Sequence, residues 1–191
     1  MSDSAGIRIL AIGGSTRPQS SSERALEVAA GAAEAAGATV IRMTGRDLML
    51  PIYDTETTER TEGALRLVEQ ARLADGVLVA SPGYHGGISG MMKNALDYLE
   101  DLARDERPYL DGRAVGCIAV AYGWQATVST LHQLRQVVHA LRGWPTPLGG
   151  VVNAQHTAID VDGTSADEAT LEALRTVGRQ VVQFARLTRQ H

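Results

Sequence analysis

The chain has 191 residues, 44% of them apolar, with a formal net charge of −4. That length can bury one sizeable core without demanding a second domain, and scattered basic residues on an acidic background exclude the electrostatic footprint of a nucleic-acid binder. Cys117 is the only cysteine, so no internal disulfide is possible. No charged segment followed by an apolar one opens the chain, and its apolar runs fall well short of the ~20 residues of a membrane helix. The expectation is a single cytoplasmic domain over residues 1–191.

Ile7 to Ile12 reads as a first, mostly buried strand. The polar loop Gly13-Gly14-Ser15-Thr16-Arg17-Pro18-Gln19-Ser20-Ser21-Ser22 follows, then an Ala-rich helix ending near Gly37. Ser20 suits the N-cap, Glu23 completes a capping box, and Gly37 suits the left-handed position after the last turn. Ala38 to Met43 is a second strand, Thr44 to Thr61 a long exposed connection, and Glu62 to Ala74 a second helix.

The third strand, Gly76 to Ala80, delivers the richest loop of the chain, Ser81-Pro82-Gly83-Tyr84-His85-Gly86-Gly87. Ser89 is a plausible cap for the next helix, whose broad stripe of Met91, Met92, Ala95, Leu96, Leu99 and Leu102 could cover both the sheet and a partner subunit. Ala114 to Ala121 is the fourth strand, followed by the loop Tyr122-Gly123-Trp124-Gln125 and a helix from about Ala126 to Leu141. A short fifth strand lies near Leu148 to Val152, and a last helix runs over roughly Ala166 to Leu187.

Five alternations of strand and helix call for a parallel sheet covered on both faces, and five strands favour the order 2-1-3-4-5. The switch point then falls between strands one and three, at the Ser-rich and Tyr-His loops. Hydroxyls, one guanidinium and free N–H groups beside a helix start suit a phosphate monoester, although Ser20 and Glu23 are equally explained as a cap alone. Neither G-x-G-x-x-G nor a P-loop is present, which makes a mononucleotide the better ligand. In the third-strand loop Pro82 is rigid, and Gly83, Gly86 and Gly87 permit close approach to a flat heteroaromatic edge. Tyr84 also reads as a packed aromatic, and His85 as a surface histidine.

Other constellations are weaker. His132 and His139 lie seven apart on one helix with no third ligand, so no metal site is expected. Ser81, His85 and Asp97 lack the G-x-S-x-G elbow of a hydrolase. Cys117 reads as an inert apolar residue of a buried strand.

Gly14-Ser15-Thr16-Arg17, followed by serines, together with Ser81-Pro82-x-Tyr84-His85-Gly86-x-x-Ser89-Gly90-x-x-Lys93-Asn94-Ala95-Leu96-Asp97, resembles the NAD(P)H-dependent FMN reductase family of flavodoxin-like proteins. The connection from Asp47-Leu48 to Pro51-Ile52-Tyr53-Asp54 is similar too. The resemblance implies a flavodoxin-like three-layer α/β sandwich and FMN held non-covalently. Its phosphate would lie at Ser15, Arg17, Ser20 and Ser22, its ring against Pro82, Gly83, Tyr84, His85 and Gly86, and Ser81 near the ribityl chain. The fourth-strand loop around Gly123 would close the ring's other side. Here the chain departs from the family's Ser-x-Gly-Gly-like stretch, and Trp124 either stacks near the flavin or belongs to a subunit interface.

The activity implied is hydride transfer from NADPH or NADH to flavin, with the flavin carrying the chemistry and no side chain required as acid or base. Reduced flavin would pass to a partner monooxygenase or other small-molecule acceptor. The alternatives are an FMN-containing quinone, azo or metal-oxyanion reductase, and a flavodoxin-like electron carrier. The family also implies a homodimer or homotetramer.

Overall fold

Side chains alternating between two buried faces set how each strand is used. In the computed structural model, which describes residues 6–189, the longer strands are β1 (Arg8–Gly13), β2 (Thr39–Thr44), β3 (Gly76–Tyr84) and β5 (Ala114–Ala121). Leu10, Ile12, Val77, Val79, Val115 and Cys117 face one apolar layer; Ile9, Ala11, Leu78, Ala80 and Ile118 face the other. The first layer is completed by α2 (Glu62–Leu73), α3 (Gly90–Asp97) and α4 (Trp124–Ala140), the second by α1 (Ser21–Ala35) and α5 (Glu168–Thr188). A strand buried on both faces must be apolar throughout, and β5 is buried at all its positions.

The order is β2-β1-β3-β5 with parallel pairing, the doubly wound, flavodoxin-like arrangement anticipated above. The expected count of five strands is corrected to seven among the described residues. The fifth position is shared by β6 (Trp144–Pro145) and β7 (Gly150–Asn153), which pair with successive halves of β5. Pro145 and Pro147 cannot donate to a ladder, so a continuous strand is broken between them. The remaining strand, β4 (Gly87–Ile88), runs antiparallel to the end of β3.

That hairpin lengthens β3 beyond the expected end at Ala80, through Pro82 to Tyr84. Its turn residues His85 and Gly86 have φ of 51° and 85°, both in the left-handed region that a type I′ turn requires. Ser20 caps α1, its Oγ accepting from Glu23 N at 3.2 Å, and Gly37 follows the helix at φ 88°. The reciprocal half of the capping box differs. The Glu23 carboxylate accepts from Gln19 N at 2.6 Å, because Ser20 N already donates to Arg17 O.

The connection from Thr44 to Thr61 is not loosely attached. Asn94 on α3 accepts from Tyr53 N at 2.8 Å and donates to Pro51 O at 2.8 Å, while Tyr98 Oη donates to the same carbonyl. Arg60 lies over the Tyr53 ring at 4.8 Å and forms two hydrogen bonds with Asp101. Asn94 therefore clamps this loop to α3.

Candidate active site

Three strands, β1, β3 and β5, end side by side, and the loops they release enclose a cleft of about 340 Å³. From the first loop and the start of α1 come Ser15, Arg17, Gln19, Ser20, Ser21, Ser22 and Arg24; from β3, Pro82, Gly83 and Tyr84; from β5 and its loop, Val120, Ala121 and Tyr122; after β7, Ala154. The ligand-binding position expected at the carboxyl ends of neighbouring parallel strands is thus a real cavity.

At one end the cleft gathers hydroxyl, guanidinium and backbone N–H donors. Ser20 Oγ and Ser22 Oγ lie 3.1 Å apart, and Ser15 Oγ accepts from Arg17 N at 3.2 Å, which folds the loop back on itself. Of the N–H groups that the first turn of α1 leaves without a helical carbonyl, Ser20 N is taken by Arg17 O and Glu23 N by Ser20 Oγ. Those of Ser21 and Ser22 remain for a ligand, at the positive end of the helix dipole. The Arg17 guanidinium has no hydrogen bond or ion pair among the described residues. Arg24 donates from Nη1 to Ile159 O at 2.8 Å, while its buried Nε has no partner. Two guanidinium groups and no carboxylate or histidine line the cleft. That balance favours a ligand with two negative charges.

The other end is lined by Pro82, Gly83, Tyr84, Val120, Ala121, Tyr122 and Ala154. Tyr84 and Tyr122 are 57% and 76% exposed, so both rings are available to a planar partner. Gly83 has no room for a side chain, since a Cβ there would stand 2.5 Å from Thr130 Oγ1, and its glycine keeps β3 tight against α4.

The residues singled out from sequence divide into two groups. Ser15, Arg17, Ser20, Ser22, Pro82, Gly83 and Tyr84 share the cleft lining. Ser81 stands behind it, fully buried, its Oγ donating to Pro82 O and accepting from Ser89 N at 3.0 Å. His85 and Gly86 form the exposed turn of the hairpin, and Gly123 is the N-cap of α4 at φ 91°. Sequence reasoning missed Arg24, Val120 and Ala154. Arg24 lies one turn beyond Ser20 on the same helix, and that spacing was the available signal; for Ala154, after the interrupted fifth strand, there was none.

Elsewhere, burial pushes the Cys117 thiol up to about 12, leaving no thiolate to act as a nucleophile at neutral pH. His132 and His139 are both exposed, and among the described residues no three His, Cys, Asp or Glu side chains gather as metal ligands. No described helix is long and apolar enough to cross a membrane.

Comparison with known proteins bears on the same loops. The sequence profile described as NADPH-dependent FMN reductase matches residues 7–158, which takes in β1 through the Ala154 loop. An NADPH azoreductase of Bacillus sp. (strain OY1-2) is 29% identical over 63% of this chain; the chain spans 63% of that protein's length. The quinone reductase of Escherichia coli (strain K12) is 31% identical over 65% of this chain and 68% of its own. Among solved structures, FerB of Paracoccus denitrificans, a flavoenzyme NAD(P)H:(acceptor) oxidoreductase, superimposes with a TM-score of 0.77. The match covers 95% of this chain and 98% of that one at 21% identity, a likeness of fold.

Proposed function

Because the chain belongs to the NADPH-dependent FMN reductase family, we propose that its cleft holds FMN and that the protein passes hydride from NADPH or NADH through that flavin to a flat organic acceptor. The observation that carries the reading is one cleft that joins the N-terminal end of α1, the Arg17 and Arg24 side chains and the exposed rings of Tyr84 and Tyr122. The residues present fit the group. A phosphate monoester takes up donors that are otherwise unpaired, and a tricyclic ring has Pro82, Gly83 and Tyr84 to lie against.

In this reading Ser15, Arg17, Ser20 and Ser22, joined by Ser21 and Arg24, hold the phosphate by charge-assisted hydrogen bonds. Pro82, Gly83 and Tyr84 form the ring wall, with Ala121, Tyr122 and Ala154 completing the lining. Ser81, His85, Gly86 and Gly123 shape that wall from behind or from its rim. When bound, FMN supplies two-electron redox chemistry, and the protein contributes placement and electrostatics. No carboxylate or histidine lines the cleft itself.

The exposed rings of Tyr84 and Tyr122 favour a flat acceptor such as a quinone or an azo compound, the substrate classes that name two relatives. Free FMN as the acceptor, feeding a monooxygenase, is the second reading, supported by the family description. Steady-state oxidation of NADPH separates them. Saturable turnover with a quinone, with FMN needed only to restore activity to stripped protein, supports the first; saturable turnover with free FMN alone supports the second. Negligible turnover with either leaves an electron carrier and contradicts both. A homodimer or homotetramer belongs to the same proposal, and light scattering measures it.

A further inference from the structure

We infer that Asn153 is the positioning residue of the flavin site, holding one wall of the cleft through backbone groups without touching the ligand; the inference rests on the flavin reading above. Asn153 is the last residue of β7, in register with Ala121, the last residue of β5. From these two strand ends leave the two loops that bring Tyr122 and Ala154 to the cleft.

The Asn153 side chain joins them. It is 1% exposed, and its Oδ1 accepts from Gly123 N at 2.9 Å and from Gln155 N at 3.1 Å. Both partners are N–H donors, so the amide oxygen has to be the atom that faces them. The main chain adds to the join, with Ala154 N donating to Ala121 O and Thr157 N to Asn153 O, both at 2.9 Å. Gly123 cannot cap α4 with a side chain of its own, and no side chain caps that helix. Its backbone, at φ 91°, is held in place from the neighbouring loop instead.

The cost of this arrangement is visible. Asn153 Nδ2 is buried without a partner, a penalty that an apolar residue of similar size would avoid. Such a residue would instead leave the Gly123 and Gln155 N–H groups unpaired. Tyr122 gains no support from its own burial, being 76% exposed, so its placement depends on the backbone on either side of it. Ala121 and Gly123 are those neighbours, and both are tied to the end of β7.

The test uses the full-length protein stripped of flavin, with Asn153→Ala and Asn153→Asp. FMN affinity is read by quenching of flavin fluorescence, and ring placement by visible circular dichroism of the bound flavin. The melting temperature of the flavin-free form serves as the folding control. Asn153→Asp keeps an acceptor for both N–H groups and is expected to retain the wild-type dichroic bands, although its added negative charge weakens FMN binding. Asn153→Ala is expected to bind at least tenfold more weakly with altered bands. Should the alanine variant fail to fold, Asn153→Ser, whose shorter hydroxyl reaches one donor at most, takes its place with the same expectation. Alanine or serine variants that match wild type in affinity and bands overturn the inference, as does a folded Asn153→Asp whose dichroic bands are altered as theirs are. Wild-type protein that binds no FMN overturns the flavin reading instead, and the two failures are thereby distinguished.

Discussion

Arg17 and Arg24 place two positive charges at one end of a cleft that contains no negative one. A charge-assisted hydrogen bond contributes about 1.5–3 kcal/mol, so Arg17→Ala should weaken FMN binding by roughly tenfold or more. Its maximal rate of flavin reduction, measured at saturating FMN, should change much less. Equal FMN affinity in wild type and Arg17→Ala would remove the phosphate assignment. Arg24→Ala should act in the same direction, and isothermal titration with FMN measures both. Cys117 should resist alkylation in the folded protein at pH 8 and react on unfolding, since burial holds its thiol up to about 12. Mass spectrometry before and after denaturant reads this. At this scale the sequence was most legible where a residue type implies its local role, as with Ser20 as the cap of α1. It was least legible where a side chain serves distant backbone. Asn153 and Asn94 bond to segments 30 and 41 residues away, and no local pattern records such a partner.

Among the elements, the contact between α1 and α5 depends on absent side chains. A Cβ on Gly178 would stand 2.1 Å from Ala29 O, so Gly178→Ala must push the helices apart. Overpacking of this kind costs about 1–3 kcal/mol, which for a chain of this size lowers the melting temperature by very roughly 2–12 °C. Calorimetry checks it, and an unchanged transition would contradict the packing described. The start of α5 carries a pH dependence. Thr170 and Thr157 donate to the Asp167 carboxylate and hold it below the usual carboxylate range. A depressed folded-state value adds stability above the unfolded value of about 3.9, and that stability is lost as pH falls through the folded value. Asp167→Asn should therefore lower the melting temperature near pH 7, where the ionised carboxylate contributes, and flatten the acid limb of the melting-temperature profile. Helices and buried strands were read from apolar spacing to within a few residues, and Gly37 and Ser89 marked their ends. The hairpin of β3 and β4 was not, because Ser81-Pro82 looks like a strand end until Tyr84 is seen to pair with Gly87.

For the molecule as a whole, the parallel order β2-β1-β3-β5 brings the Ser-rich loop beside the Tyr84 hairpin, and this placement follows from topology. It was legible because five strand-helix alternations leave few right-handed windings. The split fifth strand was less so, since its two short pieces carry Pro145 and Pro147 between them and neither shows a strand's periodicity. The same sheet supports both ends of the cleft, and the proposed function requires both to act on one ligand. Titration of flavin-stripped protein with FMN and with riboflavin tests this most directly. The account predicts saturable binding of FMN with one equivalent per chain, and binding of riboflavin weaker by tenfold or more. Equal affinity for the two flavins, or no binding of either, would contradict it.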